Sequence, residues 1–502
     1  MDPRPALARH FGYADFRPGQ EPLVRAALEG RDALGILPTG GGKSVCYMLP
    51  AALLPGLTIV VSPLISLMDD QVVRANRAGI PAALVNSTQS TAERDAVLAR
   101  ARSGALRLLL VAPERFQVPA FQRAIEGVDL SLLAVDESHC IAQWGHDFRP
   151  AYRTLGDVRA RVGAPVMALT ATATPRVREE IRRSLRLRSP EVVVGSFDRP
   201  NLSWHVHRVR TAREREAGLV SEIRRALAAG EGAAVAYAGT RRTVERIRNR
   251  IAGLGLPAEA YHGGLDGDER SRVQEAFMDG RARVVVATNA FGMGVDKPDV
   301  RLVVHWQLPG TLEAYYQEAG RAGRDGAPAR CVAFHGQGDD GLHRSFIDRA
   351  RPPARSLRRT YVVLRRLQRD ARVRETVRHL AGCTRGVTGS AACVGALGAL
   401  EGAGAVRLLS PLPEEGSAAA GAPGAGDPGL SVGSQYVHLE LLPGPLDLSR
   451  PRTLRRSALD QLRAVTRYAT ARKCRRRVLL GYFGEDAGGR RCDRCDRCGA
   501  AT

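Results

Sequence analysis

Lysine is nearly missing from this chain. Of 74 basic residues among 502, only Lys43, Lys297 and Lys473 are lysines, and the rest are arginine. Coding bias accounts for much of that. The survivors still draw attention to places where a compact ammonium on a flexible stem serves and a planar guanidinium fits poorly. Aromatic residues are also sparse, at 5%, so a local cluster of them stands out. No uninterrupted apolar run approaches the roughly 18 residues of a membrane span. The start, Met1-Asp2-Pro3-Arg4, lacks the apolar core of a secretion signal. These absences predict a cytoplasmic protein with no membrane partner. Nine cysteines in such a compartment argue against a disulfide framework. Acidic residues are the minority, 52 against 74 basic, and the net charge is +22. That excess favours a polyanionic partner, most simply nucleic acid, although the arginine bias alone would inflate it. The length predicts three or four domains, and an apolar content of 44% is ordinary for a globular protein.

What is present organises around Leu37-Pro38-Thr39-Gly40-Gly41-Gly42-Lys43-Ser44. Ala33–Leu37 reads as a short buried strand, and Val45–Leu49 as the start of a helix. Strand, glycine loop and helix N-terminus make an anion site, with backbone N–H groups turned around a phosphate and the helix dipole favouring negative charge. Lys43 would reach the β/γ-phosphates and Ser44 would hold Mg²⁺. Leu37 stands where the first glycine of the usual motif would be. Upstream lie Tyr13 and Phe16-Arg17-Pro18-Gly19-Gln20. Gln20 can donate to and accept from an adenine edge while Tyr13 and Arg17 stack on the ring; a helix-capping turn would look similar.

Strands are expected at 57–61, followed by Ser62-Pro63, at 108–111 and at 132–135, the last ending in Asp136-Glu137-Ser138-His139. Strands alternating with helical stretches describe an open parallel sheet that binds ligands at its carboxyl end. There Asp136 is placed to hold Mg²⁺ and Glu137 to polarise a water; a helix N-cap is the plainer reading of both. The loop 143–152 concentrates Trp144, Phe148 and Tyr152 beside Arg149, suited to stacking on unpaired bases and meeting phosphate, or to a small apolar cluster. Thr170-Ala171-Thr172 ends a further strand and can link two sites through hydrogen bonds. A second α/β unit begins near residue 206, with strands at 233–237, followed by Thr240-Arg241, at 284–287, followed by Thr288-Asn289, and at 302–305. Arg321 and Arg324, after Gln317, would share one face of a helix. They suit an arginine-finger role or a solvated basic helix end.

Together, Gln20, the phosphate loop, Asp136–His139, Thr170–Thr172 and Gln317…Arg321…Arg324 follow the order of superfamily-two helicases. Phe16–Gln20, the aromatic loop and Phe197-Asp198-Arg199-Pro200-Asn201-Leu202 resemble the RecQ family in particular, over about residues 8–340 and again at the C-terminus. The resemblance implies two RecA-like domains with ATP between them, translocating 3′→5′ on single-stranded DNA and separating duplexes in repair or recombination. It implies adenine contacts from Tyr13, Arg17 and Gln20, triphosphate contacts from Thr39, Gly40, Gly41, Gly42, Lys43 and Ser44, and metal at Asp136. It gives Glu137 the water, and Arg321 and Arg324 completion of the site beside Gln317, with Arg324 as the finger. Ser62, Pro63, Trp144, Phe148, Arg149, Thr240, Arg241, Thr288 and Asn289 are expected on the DNA path. The aromatic loop would couple DNA to Asp136-Glu137.

The C-terminal third is less explicit. Residues 349–380 carry eleven arginines and only Asp370 and Glu375 in opposition, on what reads as amphipathic helix; its basic face would track phosphates or simply be solvated. A helix at 394–401, a strand at 405–409, a Pro/Gly/Ala-rich loop at 411–434 predicted to be disordered, and a strand at 435–442 suggest a winged-helix-like module with a long wing. RecQ proteins usually place that module after the zinc module, and here it comes before. Cys474, Cys492, Cys495 and Cys498 match a tetrahedral Zn²⁺ site, with a redox cluster as the alternative. Cysteines 46, 140, 331, 383 and 393 read as buried small residues. The expected fold is therefore α/β: two tandem RecA-like parallel-sheet domains (1–205 and 206–343), a small α+β winged-helix-like module (344–455) and a helical zinc-binding module (456–502). No further nucleic-acid-binding domain is expected after the zinc module. The expected ligands are ATP, Mg²⁺ and Zn²⁺. The expected partners are single-stranded and tailed duplex DNA, with a single-stranded-DNA-binding protein or repair factors, acting on a monomer. An ATP-gated DNA-binding protein that does not unwind, or an RNA helicase of the same superfamily, would share the motor motifs.

Overall fold

A computed structural model describes residues 2–63, 65–86, 89–142, 150–228, 232–292, 295–387, 389–409, 435–489 and 491–499. The loop expected at 411–434, and Trp144, Phe148 and Arg149, lie outside the described residues. The chain divides into two compact units: Met1–Leu308 with Leu312–His335 and Thr470–Thr502, and Pro309–Thr311 with Gly336–Ala469.

The first unit holds two sheets. One is built from β1 (Ala33–Ile36), β2 (Leu57–Val61), β3 (Ala82–Val85), β4 (Leu108–Val111), β5 (Leu130–Val135), β6 (Val166–Thr170) and β7 (Glu191–Val194), in the order β3-β4-β2-β5-β6-β1-β7. All its pairings are parallel. Continuous apolar runs such as Leu-Leu-Leu-Val in β4 are buried throughout, as a sheet covered on both faces requires. Because β5, β6 and β1 are neighbours, the chain segments leaving their carboxyl ends converge. These segments are Asp136-Glu137, Thr170–Thr172 and the glycine loop. The helix Lys43–Leu53 after that loop is buried nearly all round, by Val45, Cys46, Tyr47, Met48 and Leu49 among others.

The second sheet comprises β8 (Leu202–Val209), β9 (Ala233–Tyr237), β10 (Ala258–Tyr261), β11 (Val284–Ala287), β12 (Val300–His305) and β13 (Ala329–Gly336), in the order β10-β11-β9-β12-β13-β8. Its first strand starts at Leu202, ahead of the expected residue 206, just after a turn in which Leu202 N donates to Arg199 O at 3.0 Å.

In the second unit, β14 (Arg372–Thr376), β15 (Val406–Leu408) and β16 (Tyr436–Leu441) form an antiparallel sheet in the order β14-β16-β15. With helices Ala354–Leu367, Val377–Cys383 and Ser390–Gly402, the order is helix, strand, helix, helix, strand, strand, as in a winged helix. The arginine-rich stretch is thus not one helix. Helix Ala354–Leu367 buries Leu357, Thr360 and Leu364 and exposes Arg355, Arg358, Arg359, Arg365 and Arg366. It is followed by Asp370 and Ala371 in left-handed conformations (φ 49° and 63°), which turn the chain into β14. Cys383, expected to be buried, is exposed at the end of its helix. The boundary drawn at 455/456 falls inside one long helix, Ser449–Thr470. Among the described residues, no helix is long and apolar enough to cross a membrane.

Candidate active site

The glycine loop is shaped by its own backbone. Gly40 and Gly42 have φ of 81° and 72°, conformations that favour glycine, and Gly42 caps the helix that begins at Lys43. Gln20 is buried beneath the loop. Its amide nitrogen donates to Gly41 O at 3.1 Å and Gly42 O at 2.9 Å, and its oxygen accepts from Arg17 N at 2.8 Å. Arg17 donates to Gly40 O at 2.5 Å, and its guanidinium lies 6.0 Å from the centre of the Tyr13 ring. In this conformation Arg17 and Gln20, expected to read adenine, are hydrogen-bonded to the loop.

A cleft of about 240 Å³ opens in front of it. It is lined by Thr39, Gly40, Lys43, Asp136 and Glu137 from the first sheet's loops and by Gly292, Val295, Asp296, Gln317, Arg321 and Arg324 from the second's. Leu67, Asp70, Gln71 and Arg74, from helix Ile65–Arg77, complete the lining. Gly41, Gly42 and the buried Ser44 are not among the lining residues.

Asp136 leaves β5 with its backbone N–H bonded to Val61 O at 2.9 Å, and its backbone oxygen accepts from the Tyr152 hydroxyl at 3.0 Å. Burial first, then the Glu137 carboxylate, pushes its carboxyl up to about 6, while Lys43 pulls the other way. Asp136, buried, and Glu137, partly so, offer the carboxylate oxygens that a divalent cation such as Mg²⁺ takes. Glu137 adopts φ 45°, and one of its oxygens lies 3.2 Å from His139 Nδ1. That same nitrogen is 2.8 Å from the Thr170 hydroxyl, which in turn lies 3.3 Å from Thr172 N. The ends of β5 and β6 are therefore joined by a buried polar chain.

Arg321 and Arg324 do not share a helix face, because helix Leu312–Ala319 ends before them at Gly320. They lie in the turns that follow, where Gly323 and Gly326 have φ of 55° and 83°. Both still reach the cleft. Arg321 donates to Gly292 O, and Arg324 to Val295 O at 3.0 Å and Asp296 Oδ1 at 2.6 Å. Burial, and then the charge of Arg321, lowers the Arg324 guanidinium's hold on its proton, with Asp296 opposing.

Cys474, Cys492, Cys495 and Cys498 bring their sulfurs within 4.8 Å of one another. Cys474 and Cys495 Sγ are 3.9 Å apart, too far for a disulfide. Four sulfurs at about 2.3 Å from one zinc stand about 3.8 Å apart, so the set fits a tetrahedral Cys₄ site. Cys474 caps helix Arg475–Tyr482 rather than lying within it.

The expected DNA path is only partly exposed. Ser62 and Pro63 are buried at the end of β2, with Ser62 N bonded to Val111 O at 3.1 Å. Thr240 caps helix Arg241–Ala252, with its hydroxyl accepting from Thr243 N at 3.2 Å, while Arg241 and Asn289 are exposed and Thr288 is half-buried. Sequence reasoning assigned no role to Arg199 and Asn201, nor to Asp70, Gln71, Arg74 and Asp296 in the cleft. An Asp-x-x-x-Arg spacing that puts Asp70 and Arg74 on one helix face was the available signal for two of them.

Three family matches run along the chain: DEAD/DEAH box helicase over residues 17–181, the helicase conserved C-terminal domain over 218–326, and RecQ zinc-binding over 446–499. The ATP-dependent DNA helicase RecQ of Pasteurella multocida is 45% identical over 349 residues, 69% of this chain and 54% of that protein. The probable ATP-dependent DNA helicase RecS of Bacillus subtilis is 39% identical over 344 residues, covering 68% of both chains. The chain belongs to the RecQ family. It spans about half the length of the RecQ proteins of Pasteurella multocida and Haemophilus influenzae that it matches, 54% and 55%. Among solved structures, Mycobacterium smegmatis helicase Lhr bound to single-stranded DNA and AMP-PNP aligns at TM-score 0.53 and 22% identity, over 82% of this chain and 60% of that one. The helicase MrfA bound to DNA aligns at TM-score 0.57 and 20% identity, over 67% and 51%. At these identities the likeness is one of fold, and it covers the paired parallel sheets expected of the RecQ family.

Proposed function

We propose that this RecQ-family chain is an ATP-dependent DNA helicase that translocates 3′→5′ on single-stranded DNA and unwinds duplexes in repair or recombination. The observation that carries this reading is the cleft in which Lys43, Asp136 and Glu137 face Gln317, Arg321 and Arg324. In this reading Thr39, the Gly40–Gly42 backbone and Lys43 hold the triphosphate, and Tyr13, Arg17 and Gln20 turn from bracing the loop to meeting adenine. Ser44 and Asp136 hold Mg²⁺, which neutralises phosphate charge when bound. Glu137 orients the attacking water, kept in place by His139. Arg321 and Arg324 stabilise charge on the transferred phosphoryl group once the cleft tightens, and an arginine in that role is worth about 10³–10⁵ in rate. Because the groups divide between two sheets, hydrolysis depends on closure, and alternating closure becomes stepping if each lobe grips the strand. Thr240, Arg241, Thr288 and Asn289, with the Trp144, Phe148 and Arg149 loop, provide that grip. The four-cysteine site holds a structural zinc.

Fluorescent strand displacement tests the reading, using DNA duplexes with 3′ or 5′ tails, an RNA duplex, and ATP or a non-hydrolysable analogue. Unwinding of the 3′-tailed DNA with ATP alone is expected. Retention on DNA without unwinding would favour a gated binder, and unwinding of RNA alone would favour an RNA helicase.

A further inference from the structure

The segment joining the two sheets, Ser196–Asn201, is bonded along its length. Tyr316, on helix Leu312–Ala319, donates its hydroxyl to Phe197 O at 2.7 Å. From the cysteine module, Glu485 accepts from the Ser196 hydroxyl at 2.6 Å and from Phe197 N at 2.7 Å, and Arg476 pairs with Asp198. Phe483 stacks on Phe197, with ring centres 4.4 Å apart. At the far end Arg199 turns the other way. One of its terminal nitrogens donates to Gly320 O at 3.2 Å, and the second to Ala322 O at 2.9 Å and Gly323 O at 3.0 Å. Asn201 adds bonds to Gly323 O at 2.8 Å and Ala327 O at 2.9 Å.

These carbonyls bracket Arg321. They follow a helix whose last carbonyls lack partners within it, where a cation is favoured. Two of the residues that carry them, Gly320 and Gly323, have no side chain with which to pack, so hydrogen bonds decide where this stretch of backbone lies. A guanidinium presents several N–H groups in a rigid fork and can join three carbonyls at once, whereas an ammonium on a flexible stem has no such fixed geometry.

We infer that Arg199 is a positioning residue for ATP hydrolysis: it sets the backbone from which Arg321 and Arg324 reach the cleft, and so ties their position to the segment between the two sheets. The inference rests on the hydrolysis reading above. Movement of one sheet against the other passes through this segment, so Arg199 would carry closure to the arginines directly. Misplacing a catalytic group by about 1 Å costs on the order of a hundredfold in rate.

The test measures DNA-stimulated ATP hydrolysis in the full chain for Arg199→Ala and Arg199→Lys, alone and combined with Arg321→Ala. The expected result is a fall in kcat of about ten- to a hundredfold for Arg199→Ala, with KM for ATP within about twofold of wild type. Arg199→Lys, which keeps the charge but loses the fork, should fall between. In the Arg321→Ala background, Arg199→Ala should add less than about a twofold loss, because the two act as one unit. Should Arg199→Ala fail to fold, the lysine variant decides. Unchanged kcat in the lysine variant, a rise in KM alone, or fully multiplicative losses would each overturn the inference while leaving hydrolysis itself intact. A wild-type chain no more active than Lys43→Ala would instead remove the underlying reading.

Discussion

Arg475 is fully buried and closes a two-pronged ion pair on Asp496, with Nε to Oδ1 at 2.9 Å and Nη2 to Oδ2 at 3.0 Å. Asp496 lies between Cys495 and Cys498, so this pair fastens the cysteine turn to helix Arg475–Tyr482. Removing Asp496 takes two charge-assisted hydrogen bonds from the buried guanidinium, each worth about 1.5–3 kcal/mol. Asp496→Ala is expected to lower the thermal midpoint and to release zinc to a colorimetric chelator faster than wild type does.

Metal removal should be visible from a neighbouring strand. Trp204, on β8, receives Asp496 N on its carbonyl at 3.1 Å, and its own N–H donates to Arg494 O at 3.0 Å. Chelation should loosen this pairing and shift tryptophan emission, and Trp204→Phe should abolish most of that change. A shift that persists in Trp204→Phe would place the response elsewhere.

Lys43→Ala should abolish ATP hydrolysis and leave much of the DNA affinity, because affinity comes from many basic groups meeting phosphates. Hydrolysis assays and fluorescence anisotropy on a labelled single strand check the two halves separately.

The Thr170 hydroxyl, 2.8 Å from His139 Nδ1, steadies the ring beside Glu137. Thr170→Val keeps the shape and removes the hydroxyl. A loss of roughly tenfold in kcat is expected, the lower end of what supporting partners around such sites contribute, with a fall in thermal midpoint because the buried His139 ring and Thr172 N–H each lose a partner.

His205 reports on pH. Burial first, then the Arg330 charge, lowers it from 6.5 to about 4, and its Nε2 has no hydrogen-bond partner among the described residues. The folded state therefore resists protonation that the unfolded chain accepts. Its contribution to stability is complete above pH 6.5 and is lost as pH falls toward 4. Thermal midpoints of His205→Asn should decline less steeply than wild type across that window.

The cleft face of the first sheet was legible because a phosphate-binding loop and its acids leave local signatures. A glycine loop must sit between β1 and a helix, and two acids must follow an apolar strand. The edge strands β3, β7 and β10 are harder to read although, at four residues each, they are as long as the legible β1, β4 and β11. In β7, Val192 and Val194 are 50% and 42% exposed although Val192-Val193-Val194 is an apolar run, so pattern and burial part company there. The strand β14 was hidden among arginines, and its start depends on two left-handed residues that composition does not announce. The helix expected under Arg321 and Arg324 failed for a local reason, since Gly320 ends it. The bonds from Arg199 and Asn201 join residues more than a hundred positions apart, and spacing carries no trace of them.

Gly292 has φ 148°, and a Cβ added there would fall inside the Arg321 guanidinium that its carbonyl receives. Even a methyl group would make that guanidinium give way. Position 292 is thus a diagnostic site: a side chain there goes with an arginine tip seated differently.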